Sequence, residues 1–276
     1  MKQAKVLVFD LDGTLYADTH HFDYYAELIG ELLPTDVRAL YFEQYKAALQ
    51  QQHAVRIGRV YDAARDLLLV QEDGEVLEAY NWEGERLGDD SIAELYPERI
   101  HIDLTDMVNI GDQWWIPPVL ARHYGIEPEK THRAFLQTRE WMMGEEFAMN
   151  PVPGFAAELQ RLSKSKRLVL LTNSPQPDSE AIIEKLGLAE VFDHKIFIGQ
   201  KPLESQHHFK EIAKRYDCSY SEIISIGDNW VNDIRPPKLL GCRTIYIDWH
   251  HIDQKDCADI VVGSTQELVD VFRTWS

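Results

Sequence analysis

The chain has 276 residues, and its 28 lysines and arginines against 46 aspartates and glutamates give a formal net charge of −18. Such a field repels a nucleic-acid backbone, and no Lys/Arg cluster opposes it, so nucleic acid is excluded as an expected partner. No run of about 18 apolar residues exists and the first apolar stretch is broken at once by two aspartates, which argues against a membrane span or secretory signal and for a cytoplasmic protein.

In chain order, the first strong element is Lys5–Phe9, an unbroken apolar run ending at an aspartate. It reads as a strand buried on both faces of a parallel sheet. From His21 to about Leu69 the spacing of apolar residues predicts helix. Leu67–Val70 and Val76–Trp82 read as strands, with tight turns at Asp73-Gly74 and Glu83-Gly84. Pro118 to Met143 reads as a second helical stretch. Strand patterns then recur at Arg167–Leu171, Ile196–Ile198, Ile223–Ile226, Thr244–Ile247 and Ile260–Val262. Helical patterns fall among them, at 155–163, 179–186, 204–216, 232–240 and 266–272, with Gly187 and Gly241 placed as left-handed caps. Alternating strand and helix predict a doubly wound α/β core, made of residues 1–16 and 152–276. Residues 17–151 form an inserted, mainly helical domain with a small β-element. Cys218, Cys242 and Cys257 are scattered and lack CxxC spacing, so they read as incidental thiols.

Four polar groups stand at the carboxyl ends of predicted core strands, where open α/β sheets bind ligands. Asp10 and Asp12, in Asp-Leu-Asp-Gly-Thr, follow the first strand, and alternation along an extended chain would put both carboxylates on one side. They offer a nucleophile, a general acid/base and hard-cation ligands. Thr172 and Asn173 follow the second strand, where a hydroxyl and backbone N–H groups can hold phosphate oxygens. Lys201 follows the third, and Asp228 and Asp233, in Gly-Asp-Asn-Trp-Val-Asn-Asp, follow the fourth. Singly, each piece also reads as structure: an acidic strand end, a helix cap, a surface lysine, a capping turn. Their common placement is what chance does not supply.

This arrangement resembles the haloacid dehalogenase-like (HAD) superfamily, whose four motifs match Asp10–Thr14, Thr172-Asn173, Lys201 and Asp228 with Asp233, in that order. The resemblance implies a Rossmann-like core, Mg2+ and an aspartyl-phosphate intermediate. The long stretch between Asp12 and Thr172 and the short one between Thr172 and Lys201 match the C1 cap class, and such a cap can exclude bulky partners. The resemblance makes Asp10 the nucleophile and Asp12 the general acid/base. Asp10, the Asp12 backbone carbonyl and Asp228 become Mg2+ ligands, with Asp233 supporting the metal's waters or Lys201. Thr172, Asn173 and Lys201 hold the phosphoryl group. Dehalogenase members work without a second aspartate or magnesium, so Asp12 favours phosphoryl chemistry. The expected activity is phosphomonoester hydrolysis of a small phosphorylated metabolite, by a monomer or homodimer. The alternatives are a sugar-phosphate mutase and a non-catalytic binding or regulatory protein. Likeness to phosphoglycolate phosphatases and pyrimidine nucleotidases lies in the core and does not name a substrate.

The pairs His20-His21, His207-His208 and His250-His251 read as structural, because adjacent side chains diverge; His250-His251-x-Asp253 is the one with metal-like spacing. Trp114-Trp115 and Tyr80 with Trp82 read as packing of the inserted domain, with a stacking surface as the alternative, and Tyr16 is placed to line the site.

Overall fold

In a computed structural model of the chain, which describes residues 3–103, 105–251 and 258–275, the first strand is β1 (Val6–Phe9). Helices α1 (His20–Leu32) and α2 (Thr35–Leu49) follow, then strands β2 (Val60–Asp62), β3 (Leu67–Glu72) and β4 (Glu75–Tyr80). Next come α3 (Asp89–Leu95), β5 (Met107–Asn109), α4 (Ile116–His123) and α5 (Pro128–Met143). The chain continues through α6 (Phe155–Ser163), β6 (Arg167–Leu171), α7 (Gln176–Lys185), β7 (His194–Ile196) and α8 (Ser205–Arg215). It closes with β8 (Ile223–Gly227), α9 (Arg235–Leu239), β9 (Arg243–Ile247), β10 (Ile260–Val262) and α10 (Thr265–Arg273). Two units result, one of Met1–Asp18 with Glu140–Ser276 and one of Thr19–Arg139. The exit from the second unit thus falls inside α5.

In the first unit, six strands form a parallel sheet in the order β10-β9-β8-β1-β6-β7. The fold is therefore α/β, as the alternating pattern predicts. β1 lies between β6 and β8, so the strand order reverses direction around it, and that is where ligands bind in such sheets. Alternation along β1 sends Val6 and Val8 into a cluster with Val169, Leu171, Phe209 and Ile212. Phe9, on the opposite face, meets Phe192 and Phe272 edge-on at 6.1 and 6.0 Å. Both faces being covered explains why β1 has no polar residue before Asp10.

Two expected boundaries in this unit shift. β7 is His194–Ile196, not Ile196–Ile198: Ile198 takes φ +50° and is 61% exposed, because the chain has already turned toward the next loop. The expected helix over 232–240 is a wide π-helical turn, Trp230–Ile234, continued by the short α9. Gly187 and Gly241 do take left-handed φ values of +70° and +90°. Cys218 and Cys242 are free thiols; Cys257 and Asp253 lie outside the described residues.

The second unit departs further from its sequence pattern. Helix stops at Leu49, and β2 and β5 join β3 and β4 in an antiparallel sheet of order β4-β3-β2-β5. The two short strands carry too few residues to show a period, and their partners make them strands. β3 and β4 turn through Asp73 and Gly74, both at positive φ (+50° and +86°), as the Asp-Gly pair predicts. The stretch from 118 to 143 is broken at Gly125 (φ +79°) into α4 and α5, and Pro117 sits near the start of α4. Trp82 is buried, stacked on His123 at 3.6 Å, and Trp114 packs with His21, Phe22, Tyr25 and Phe135. Among the described residues no helix is long and apolar enough to cross a membrane.

Candidate active site

The site assembles at the carboxyl ends of β1, β6, β7 and β8. Backbone hydrogen bonds tie the loops there: Asp10 N–H donates to the Ile226 carbonyl (3.0 Å), Thr172 N–H to Ile196 (3.0 Å), and Gly199 N–H to Thr172 (2.8 Å). His208, which sequence reasoning set aside, supports the third loop through a ring nitrogen 2.8 Å from the Gly199 carbonyl.

Alternation along an extended chain is not what relates Asp10 to Asp12. The strand ends at Phe9, and Leu15 N–H donates to the Leu11 carbonyl at 2.9 Å, so the segment is a turn. Gly13 completes it at φ +72°, a conformation costly for any residue with a Cβ. A Cβ there would also run into the Asp228 carboxylate. The glycine thus allows backbone and carboxylate to approach closely. Trp249 fixes the same turn from far along the chain, donating its indole N–H to the Gly13 carbonyl at 2.8 Å. No motif in the sequence signals that contact.

Lys201 is the electrostatic centre. Its ammonium lies 2.7 Å from an Asp10 oxygen and 2.5 Å from an Asp233 oxygen, with the lysine side chain 3% exposed. Burial alone would lower its pKa, but the charges of Asp10 and Asp233 outweigh burial and raise it, so it stays protonated. Asp10 is pushed up to about 7, chiefly by burial, with Asp233 and Asp12 adding to the rise and Lys201 opposing it. Asp233 also accepts from the Asn229 N–H at 3.1 Å, and Ser225 donates to its carbonyl at 2.6 Å. Asn229 caps the π-helical turn, its side chain accepting from Asn232 N–H at 3.2 Å. Its place in the Gly-Asp-Asn motif was the available signal for this role.

One carboxylate oxygen from each of Asp10, Asp228 and Asp233 falls within 4.8 Å of the others. Three oxygen donors at that spacing suit a hard divalent cation, and the glycine-made space at Asp228 leaves its carboxylate room to reach one. Asp12 does not join this group through its side chain. One of its oxygens accepts from the Tyr16 hydroxyl and the other from the Ser174 hydroxyl at 2.6 Å. Ser174 directly follows the Thr-Asn pair in the chain.

Thr172 is 1% exposed, and its Oγ1 accepts from Ser174 N–H at 3.0 Å, so its own proton can go to another acceptor. Asn173 is locked to Lys201 in both directions: Nδ2 donates to the lysine carbonyl (3.0 Å) and Oδ1 accepts from the lysine N–H (2.7 Å). All seven residues expected from the sequence (Asp10, Asp12, Thr172, Asn173, Lys201, Asp228 and Asp233) thus stand on adjacent loops at one end of the parallel sheet.

Among solved structures, the fold is similar to that of YfnB from Bacillus subtilis bound to magnesium, at TM-score 0.54 and 15% identity, covering 98% of this chain and 99% of that one. It is also similar to a protein from Haemophilus somnus described as a predicted phosphoglycolate phosphatase, at TM-score 0.55 and 16% identity, covering 98% and 99%. A glyceraldehyde 3-phosphate phosphatase from Methanocaldococcus jannaschii is 31% identical over 94 residues, a match spanning 32% of this chain and 41% of that protein. The family model for haloacid dehalogenase-like hydrolases matches residues 4–241, and the chain belongs to that family.

Proposed function

We propose that this chain is a Mg2+-dependent phosphomonoester hydrolase acting on a small phosphorylated metabolite through a phosphorylated Asp10. The observation that carries this reading is Lys201, buried and shared between Asp10 at 2.7 Å and Asp233 at 2.5 Å, with Asp228 beside them. The M. jannaschii relative's name and the magnesium in the B. subtilis structure support the same chemistry.

Asp10 attacks phosphorus; an aspartyl O–P bond forms as the bond to the leaving oxygen breaks. Asp12 gives its proton to that oxygen. Asp12 then takes a proton from water, whose oxygen attacks the same phosphorus, breaks the aspartyl O–P bond and releases inorganic phosphate. The Thr172 hydroxyl and the Asn173 backbone N–H hold the transferring oxygens, and Lys201 keeps Asp10 aimed while countering the phosphate's charge.

Asp10, the Asp12 backbone carbonyl and Asp228 would hold Mg2+, which supplies the positive charge that one lysine cannot. Like charges at about 4 Å repel by roughly 4 kcal/mol at an effective dielectric near 20, and several carboxylates facing a phosphate dianion multiply that cost. Asp233 orients Lys201 in this scheme, since one of its oxygens is already committed to the ammonium.

The test is phosphate release from a broad panel of phosphorylated metabolites, with and without magnesium, for wild type and Asp10→Asn. Magnesium-dependent release that the substitution abolishes supports the reading. Release that survives a chelator, or that Asp10→Asn retains, overturns the mechanism. Interconversion of a sugar phosphate without phosphate release would identify a mutase instead.

A further inference from the structure

Tyr16 is fully buried, yet it carries a hydroxyl, and a buried hydroxyl is costly without an acceptor. A phenylalanine would fill the same volume, so the hydroxyl asks for its own explanation. It donates to one carboxylate oxygen of Asp12. The hydroxyl of Ser174, a residue only 6% exposed, donates to the other carboxylate oxygen at 2.6 Å. The two donors come from different loops: Tyr16 from the segment after β1, and Ser174 from the segment after β6. Ser174 is itself held, its N–H donating to Thr172 Oγ1 at 3.0 Å and its carbonyl accepting from Ile198 N–H at 3.1 Å.

A carboxylate has about four lone-pair sites on its two oxygens, so accepting one hydroxyl on each does not by itself bar it from proton transfer. Two donors on opposite oxygens also fix the side chain's rotation, which a single donor would not. Without them the Asp12 side chain could turn within its broad terminal torsion.

We propose that Tyr16 and Ser174 are positioning residues for Asp12, holding its carboxyl group by both oxygens so that it faces the leaving-group oxygen of a phosphomonoester. The inference rests on the phosphatase reading above. Its consequence depends on the leaving group. An alkoxide must be protonated as it departs, so an alkyl phosphate needs a correctly aimed acid. A p-nitrophenolate leaves without that help. kcat/KM is the relevant quantity, because it reports steps up to leaving-group departure and excludes the later hydrolysis of the phosphorylated aspartate.

The experiment measures kcat/KM for an alkyl phosphate and for p-nitrophenyl phosphate, with magnesium, in wild type, Tyr16→Phe, Ser174→Ala and Ser174→Thr. General acid–base groups contribute about 10²–10⁴-fold, and a mis-aimed one forfeits part of that. The expected result is a loss of about tenfold or more on the alkyl phosphate in Tyr16→Phe and Ser174→Ala, with less than about threefold on the aryl one. Ser174→Thr, which keeps the hydroxyl, should recover most of the alkyl activity. Circular dichroism and a thermal melt confirm that each variant is folded; the two hydroxyl deletions are independent, so either alone carries the test. Equal losses on both substrates, or no loss, would overturn the positioning role while leaving the phosphatase reading intact. Wild type releasing no phosphate from either compound or from the metabolite panel overturns the phosphatase reading, and this inference falls with it.

Discussion

Lys201 concentrates the consequences of single residues. Replacing it with methionine keeps the volume but leaves Asp10 and Asp233 buried against each other, and removing one partner of a buried ionic group costs about 3–5 kcal/mol. Lys201→Met should therefore unfold at markedly lower temperature than wild type, and magnesium, by binding the folded form, should recover part of the difference in a melt. Asp10 carries the pH dependence. Because burial raises its pKa to about 7, its neutral form prevails in the metal-free fold below that pH, and a cation must displace a proton. Apparent Mg2+ affinity should thus fall as pH drops below about 7, by up to tenfold per unit, and level off above it, as isothermal titration between about pH 6 and 8 would read. The sign follows from the raised value: a depressed pKa would leave affinity flat across that range. At Gly13, alanine would pay about 1–2 kcal/mol for the left-handed backbone, and its Cβ would displace the Asp228 carboxylate. Gly13→Ala should weaken Mg2+ binding by about tenfold or more, each factor of ten being about 1.4 kcal/mol.

At the scale of elements, legibility followed the strength of the local pattern. β6 and α6 fall on the residues expected, because Leu168–Leu171 is an unbroken apolar run after Arg167 and α6 presents one apolar face through Phe155, Leu159 and Leu162. β7 slid by two residues because Ile198, though apolar, is exposed at positive φ, and hydrophobicity alone does not distinguish a strand from a loop beside a site. In the inserted unit, β2 and β5 have three residues each, and what makes them strands is pairing across more than forty positions, such as Tyr61 with Val108. Helix α8 is anchored to the parallel sheet by Phe209, buried with Val6, Val8 and Val169. Phe209→Ala should cost about 3–5 kcal/mol in denaturant unfolding, the range for an aromatic removed from a packed core.

For the whole molecule, the net charge of −18 sets the long-range field that an anionic substrate crosses. Salt screens that repulsion, with a Debye length of about 10 Å at 0.1 M, so kcat/KM for a phosphate dianion at saturating magnesium should rise a few-fold with added salt. A flat or falling profile in stopped-assay kinetics would mean that the local field of the site dominates the approach.

The residues of the candidate site and the α/β core were open to sequence reasoning because both depend on local facts: polar groups directly after three buried strands, and a lysine in the loop beyond a fourth. What the tertiary structure decided is how those groups engage. Nothing local tells that Lys201 divides itself between Asp10 and Asp233, that Trp249 reaches the Gly13 carbonyl, or that Tyr16 and Ser174 take opposite oxygens of Asp12. Those contacts join residues up to 236 positions apart. A chain's periodicity records which face of each element is buried, but hydrogen-bond partners are chosen only when separate loops arrive at the same sheet end.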